Sequence, residues 1–555
     1  VSDSANIARH LPLMAARLPD HPAVKVPRGR TRDGRIDYLT LTFRELDAEV
    51  DAWVAHLQTK GVRRGDRVLV MVRQGLPLIA AAFALFKLGA VPVIIDPGMG
   101  RESFLRCVAR SQPRVLLGIP LAQVLSRVFR TAFASVEVRV WVSGSATARR
   151  GGAGTGHLAA TAPDELAAIL FTSGSTGAPK GVCYEHGMFD AQVRLVRETY
   201  GIEPGEVDLP MLPIFALFNP ALGMTTIVPE IDPAKPAAVD PAKILQAIAQ
   251  EKVTNSFGSP TLWRKIAAHA RERGVTLPTL RRVLMAGAPV PPALFADVQA
   301  LLPHGTAHSP YGATESLPVS SVSAAEIDAA ATLAGRGTCV GRPVAGVTVK
   351  IIALSDAPLA TLADARECGV GEIGEIIVTG AAVTKSYDQL PDATAAAKIA
   401  EGARVWHRLG DAGYLDAQGR LWFLGRKAER VEMRGGTLFP DQVEPVFNQH
   451  PAVRRSALVG LGDRGEQRPA IVVEPRSPAV VKTPSLRRKL VRELRALGAQ
   501  HAHTDRIRIV YLHPAFPVDV RHNAKIHRLT LAAWAAENSG YELDRREVSA
   551  ESLQR

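Results

Sequence analysis

The chain has 555 residues, 46% of them hydrophobic and 22% charged, with 67 basic against 54 acidic side chains and a formal net charge of +13. That length exceeds one hydrophobic core and predicts about two to four domains, and the composition reads as soluble and globular. The positive excess is dispersed in short pairs such as Arg149-Arg150, Arg281-Arg282 and Arg487-Arg488, with no aromatic platform among them; this argues against a nucleic-acid partner and leaves only loose contact with a membrane surface open.

Taken in chain order, Ser2–Pro19 mixes Asp, Arg and His into its apolar positions and lacks the regions of a signal peptide, so a cytoplasmic location is expected. A strand is predicted at Arg67–Val72. The most apolar run, Leu76–Pro97, is broken by Lys87, Gly89 and Pro92 and predicts a buried helix and then a strand at Val91–Asp96, with no transmembrane segment. Further strands are predicted at Arg114–Ile119, Leu166–Phe171 and Arg282–Ala286, and surface excursions at Ser143–Pro163 and Ser323–Gly337. His407-Arg408-Leu409-Gly410-Asp411 is read as part of a helical tail, and Arg420–Leu424 as a strand closed by Gly425-Arg426-Lys427. Strands alternating with helices predict an α/β fold with parallel-rich sheets sandwiched by helices.

After Arg426 the pattern changes. A helix opening at Glu444–Asn448, strands at Ala457–Gly460 and Ala470–Glu474 and a basic amphipathic helix at Ser485–Leu497 make a small α+β unit. The division expected is residues 1–425 and 426–555. Cys107, Cys183, Cys339 and Cys368 are scattered without metal-ligand spacing, which argues against a disulfide framework or a zinc site.

The stretch Leu166–Gly181, LAAILFTSGSTGAPKG, runs an apolar strand into hydroxyls, glycines and one lysine. Gly174 and Gly177 let backbone N–H groups approach anionic oxygens, Thr172, Ser173, Ser175 and Thr176 add donors, and Lys180 adds charge. The spacing is not that of a Walker A loop, since Gly181 follows the lysine. The Gly287-Ala288-Pro289 turn, Tyr311-Gly312-Ala313-Thr314-Glu315, Gly410-Asp411 and Arg426 follow in order, between Leu41-Thr42-Phe43-Arg44-Glu45-Leu46 near the start and Asn523-Ala524-Lys525-Ile526-His527-Arg528 near the end. This set resembles the adenylate-forming superfamily of acyl-CoA synthetases, peptide-synthetase adenylation domains and luciferases.

The resemblance implies a large N-terminal adenylation domain, a small mobile C-terminal lid, and ATP with Mg²⁺. It implies that Thr172–Lys180 holds the β- and γ-phosphates, that Glu315 binds Mg²⁺, and that Tyr311 stacks on adenine against Gly287-Ala288-Pro289. Asp411 would accept the ribose hydroxyls, with Arg426 supporting ribose or phosphate, and Lys525 would reach the attacking carboxylate; Thr172, Glu315 and Lys525 are the catalytic candidates. The family's hinge position, usually Asp or Lys, aligns with Ala428, which puts the usual rotation in question, and Leu409 replaces a common threonine.

Substrate choice is expected in Pro213–Pro229, where Phe215, Phe218 and Leu222, with Ala216, Leu217 and Met224, suit a long alkyl chain or plain core packing alike. No acidic residue there would pair an ammonium, which disfavours an amino acid. The segments Phe215–Gly223, Pro310–Pro318 and His522–Ile526 resemble the branch that makes β-lactones in bacterial long-chain olefin biosynthesis. That likeness implies a long-chain 2-alkyl-3-hydroxy acid as substrate, with the pathway's 3-ketoacid reductase and β-lactone decarboxylase as expected partners. A long-chain acyl-CoA ligase and a non-catalytic nucleotide-binding regulatory protein are the alternative readings. His186 and His308 lie beside the motifs and are read as structural, so no base for the 3-hydroxyl is assigned.

Overall fold

A computed structural model describes residues 4–142, 156–172, 179–232, 238–518 and 525–542. Arg149-Arg150, Ser173, Gly174, Ser175, Thr176, Gly177 and Asn523-Ala524 therefore lie outside the described residues.

Two sheets carry the first three quarters of the chain. In the six-stranded sheet, Arg67–Met71 pairs in parallel with Val91–Ile94 on one side and Val115–Gly118 on the other, with Leu166–Thr172 and Val138–Trp141 beyond them. Their near-continuous apolar runs follow from burial on both faces. The helix Leu76–Leu88 is almost wholly buried, and Lys87 survives inside it because Asp47 and Asp51 each accept from its ammonium at 2.6 Å. Those aspartates sit one turn apart on the helix Phe43–Thr59, whose start explains the Thr42-Phe43-Arg44-Glu45 signature: Thr42 and Glu45 form a reciprocal capping box.

The larger sheet has fourteen strands. It is parallel through Val207–Pro210, Thr225–Ile227, Asn255–Gly258, Arg282–Met285 and Thr306–Ala313. From Thr306 onward each new neighbour is antiparallel: Ser316–Ser323, Thr338–Pro343, Leu421–Arg426, Arg404–Leu415, Gly374–Gly380 and Val347–Ile352. Asp411 thus lies in a twelve-residue strand and not in a helical tail. Residues Trp406–Leu409 and Asp411–Tyr414 of that strand are buried without alternation, so the period of two that would mark a strand is missing from its sequence. The expected excursion Ser323–Gly337 is likewise structured, as short helical turns over Ala324–Glu326, Ala329–Ala331 and Thr332–Arg336. Gly335 accepts there from Gln442 at 3.0 Å.

Beyond Arg426 the chain forms the helix Pro440–Asn448, a four-stranded sheet of Val453–Leu461, Arg468–Pro475, Ile509–Leu512 and Tyr541–Glu542, and the helices Pro484–Gly498 and Arg528–Glu537. Period-two alternation splits its first strand between two cores. Leu458 joins Val443, Phe447, Leu490 and Leu494, whereas Ala457 and Val459 join Phe516, Ile526 and Leu531. All four cysteines are free thiols. Among the described residues no helix is long and apolar enough to cross a membrane.

Candidate active site

Strand register brings the motifs together. Arg282 pairs with Thr306 and Leu284 with His308 in parallel strands, so Gly287 and Tyr311, each three residues further on, leave the sheet at the same level and end. Gly287-Ala288-Pro289 is thereby set beside Tyr311. The hairpin that follows closes at Ala313 opposite Ser316; a Cβ on Gly312 would stand 2.5 Å from the Ser316 carbonyl oxygen, so no other residue fits that turn. Thr314 accepts from the buried Tyr184 hydroxyl, which fixes the turn carrying Glu315.

Asp411 and Arg426 face each other across the antiparallel pair. The Tyr311 hydroxyl donates to Asp411 Oδ2 at 2.6 Å, and Arg426 Nη1 donates to Asp411 Oδ1 at 2.8 Å and to the Leu409 carbonyl at 2.8 Å. Burial and the Asp411 carboxylate push the Tyr311 phenol well above its ordinary range, keeping it a neutral donor, while the Asp411 carboxylate holds Arg426 firmly protonated. Gly425 has φ +127°, and a Cβ there would lie 2.8 Å from Pro440 Cδ, so the backbone can pass beneath that helix only as glycine.

Glu315 has a partner that the sequence does not announce. Tyr387 donates its hydroxyl to Glu315 Oε1 at 2.7 Å. The same ring lies under the Lys180 ammonium at 4.8 Å and near that of Lys398 at 5.8 Å. Lys398 is buried, donates to the Thr384 carbonyl and hydroxyl, and is pushed down to about 7 by burial against the opposing pull of Glu315. Thr172, the last residue of its strand, stands opposite Lys180 across the hairpin mouth. The Gly-rich segment between them therefore joins two strands of one sheet, unlike the strand-to-helix turn of a Walker A loop.

A pocket with a cavity volume of about 50 Å³ opens beside this cluster, flanked by Pro310, Leu317 and Pro318 on either side of the Tyr311–Glu315 turn. Phe215, Phe218 and Leu222 line it with Met224 and Phe257, and Phe215 stacks on Phe257 at 3.7 Å. Its far end is polar, which the sequence did not suggest: Asp208 accepts from Asn219 at 2.8 Å and from Asn255 at 2.7 Å. Burial pushes the Asp208 carboxyl from 3.8 up to about 6. A carboxyl whose folded value exceeds its unfolded one favours the protonated fold, so this contribution is present below about pH 4 and lost as pH rises through 6. Asp208→Asn is expected to flatten the fall in stability between pH 4 and 7, by roughly 3 kcal/mol at most; a thermal-shift series in which the slope of melting temperature against pH is unchanged would count against this.

His186 accepts from the Ile7 amide at 3.2 Å and is pushed down to about 4 by burial, and His308 packs edge-on against Tyr200. Both sit in structural surroundings. Lys525 lies just before Ile526, which bridges to Val518. Ala428 sits in a one-turn helix, Lys427–Glu429, whose ends are tied in opposite directions. Lys427 reaches Glu375 at 2.9 Å, whereas Glu429 accepts from Arg528 at 3.1 Å.

The AMP-binding enzyme family matches residues 13–388. The chain is 47% identical over 550 residues to the olefin β-lactone synthetase of Xanthomonas campestris pv. campestris, covering 96% of this chain and 98% of that one. It is 48% identical over 549 residues to the Stenotrophomonas maltophilia protein of the same name, with the same coverage. Among solved structures, the amide bond synthetase of Marinactinospora thermotolerans superposes with a TM-score of 0.76 at 23% identity, over 95% of this chain and 99% of that one. The o-succinylbenzoate coenzyme A synthetase of Bacillus subtilis in complex with AMP gives 0.75 at 22%, over 96% and 99%. These two likenesses speak to the fold; the family match and the full-length relatives speak to descent, and this chain belongs to the AMP-binding, adenylate-forming enzymes.

Proposed function

We propose that this protein is an ATP-dependent, AMP-forming β-lactone synthetase acting on a long-chain 2-alkyl-3-hydroxyalkanoic acid in the cytoplasm, upstream of a β-lactone decarboxylase and downstream of a 3-ketoacid reductase. The observation that carries the reading is the Tyr311–Asp411–Arg426 chain, with Glu315 in a turn whose flanking residues Pro310, Leu317 and Pro318 line one largely apolar pocket. The names of the two full-length relatives support it.

In this reading the Tyr311 ring and Gly287-Ala288-Pro289 hold adenine, and Asp411 holds the ribose. A carboxylate has acceptor capacity on both oxygens, so Asp411 meets the ribose by giving up or sharing its bond from Tyr311, with Arg426 keeping it charged. Lys180 and the backbone of Thr172–Gly177 hold the phosphates. Residues 426–555 act as the lid, and Lys525 draws the acid's carboxylate toward the α-phosphorus.

Glu315 fits a magnesium ion by the chemistry of its surroundings. Among the described residues no three acidic, His or Cys side chains cluster, and magnesium is commonly held by one or two carboxylates together with phosphate oxygens and water. Tyr387 engages Oε1 of Glu315 and leaves Oε2 for it. When bound, the ion supplies charge neutralisation between the phosphates.

The carboxylate oxygen bonds to the α-phosphorus and pyrophosphate departs; the 3-hydroxyl oxygen then bonds to the acyl carbon, its proton is released and AMP departs, leaving a cis-β-lactone. A tethered hydroxyl held at attack distance gains on the order of 10⁵ M in effective molarity, which offsets ring strain. The pocket's part is to hold the alkyl chain and exclude water.

The test is product analysis by mass spectrometry and NMR after mixing protein, Mg-ATP and the hydroxy acid, with and without coenzyme A. A CoA-independent product lighter than the acid by one water, formed with AMP, is expected. A CoA thioester would make the protein an acyl-CoA ligase, and AMP binding without pyrophosphate release would make it a non-catalytic nucleotide binder.

A further inference from the structure

We propose that Tyr387 is a positioning residue for adenylation, holding the Glu315 carboxylate with its hydroxyl and the Lys180 ammonium with its ring. This deepens the proposed function and rests on its placing of phosphate and metal at those two residues. Glu315 lies in a hairpin turn of the fourteen-stranded sheet, and Lys180 begins a strand of the six-stranded one. No strand pairing joins the two sheets among the described residues, so something else must set the separation of their charges.

The segment around Tyr387 is built for that task. Strand Lys180–Glu185 is the outer strand of its sheet, and the segment Ser386–Asp388 lies along its open side. Cys183 N–H donates to the Ser386 carbonyl at 3.2 Å, Asp388 N–H donates to the Gly181 carbonyl at 2.7 Å, and Val182 bridges to Tyr387. Asp388 is buried and paired with Arg67, in the middle of the same sheet, at 2.9 Å. On the other side, the Thr384 amide donates to the Glu315 carbonyl at 2.9 Å, and buried Lys398 holds Thr384 through its carbonyl and hydroxyl. Five residues, 384–388, therefore clamp both the backbone and the side chain of Glu315 to the strand that begins with Lys180.

The hydroxyl and the ring do separable work. The hydroxyl fixes which Glu315 oxygen is engaged and how the other is aimed. The ring face attracts the ammonium of a lysine that would otherwise sample many rotamers at the end of a four-carbon stem. Tyr387→Phe removes only the first, and Tyr387→Leu removes both.

The experiment is calorimetric binding of Mg-ATP to the full chain over a magnesium titration, run beside ATP–pyrophosphate exchange and a melting curve. A lost hydrogen bond to a charged group predicts that Tyr387→Phe raises the half-saturating magnesium concentration about tenfold, with the KM for the hydroxy acid unchanged. Tyr387→Leu should weaken ATP binding further, even at saturating magnesium, because Lys180 is no longer held. Wild-type magnesium dependence in Tyr387→Phe, or two variants that lower only the melting temperature, would overturn the proposal. Because nucleotide binding is read without the acid, failure of the wild-type protein to make lactone would sink the proposed substrate and leave this result standing.

Discussion

Replacing Lys525 with alanine is expected to slow adenylation by about 10²-fold or more, since in the proposed mechanism the charge it brings to the attacking carboxylate and the α-phosphate neutralises a transition state formed away from water. The segment that carries Lys525 is held by its neighbours. Ile526 anchors the segment in the core of the four-stranded sheet, and Arg528 anchors it on the other side through Glu429 and Glu444, whereas the Lys525 side chain is only half-buried. Melting temperature and Mg-ATP affinity should therefore stay at wild-type values while single-turnover formation of the acyl-adenylate falls. Supplying the acyl-adenylate ready-made should restore lactone formation, because ring closure needs a hydroxyl near the acyl carbon and no further charge at the phosphate. If adenylation keeps its rate in Lys525→Ala, some other cation meets the carboxylate and the lid assignment fails.

The contrast between Glu315 and Tyr387 marks what sequence could tell. Glu315 stands in a contiguous turn whose residues are each constrained: Gly312 by the Ser316 carbonyl, Thr314 by Tyr184. Local constraint leaves a readable string. Tyr387 acts on Glu315 across 72 positions, in a segment whose own pattern, Lys385-Ser386-Tyr387-Asp388, has no spacing tied to any chemistry. Lys398 and Asp208 escaped for the same reason, since burial of an ionisable group is a property of the fold around it. The parallel strands were readable because they are short apolar runs between turn signals. Asp411 reads as helical in the sequence because its strand is covered on both faces and shows no alternation. At Ala428, where the resemblance implies a hinge usually held by Asp or Lys, the alanine has no charged group to pair, and its neighbours Lys427 and Glu429 are each tied instead.

Those restraints make Arg528 the residue whose loss should cost the most stability. Its guanidinium donates to both oxygens of Glu444, at 2.7 and 2.6 Å, and to Glu429 at 3.1 Å, and all three side chains are largely buried. Glu444 also accepts from the Leu458 amide at 2.9 Å, so the network reaches from the Lys427–Glu429 turn into the sheet. Removing one member of a buried ionic cluster leaves the others unpaired, at a cost of about 3–5 kcal/mol. Arg528→Met is expected to show that loss in chemical denaturation at pH 8. Burial already holds the Glu429 carboxyl above its ordinary value while Arg528 pulls it down; without the arginine it rises further. A raised carboxyl disfavours the fold only where it must be ionised, so the deficit should shrink as pH falls toward 5. Adding Glu429→Gln and Glu444→Gln to Arg528→Met should recover part of the loss at pH 8, because neutral amides need no counter-charge. A deficit equal at both pH values would mean that Arg528 acts by packing alone. A deficit that follows pH, accompanied by slower adenylation with Lys525 intact, would tie the proposed hinge at Ala428 to the aim of the proposed catalytic lysine through this one guanidinium.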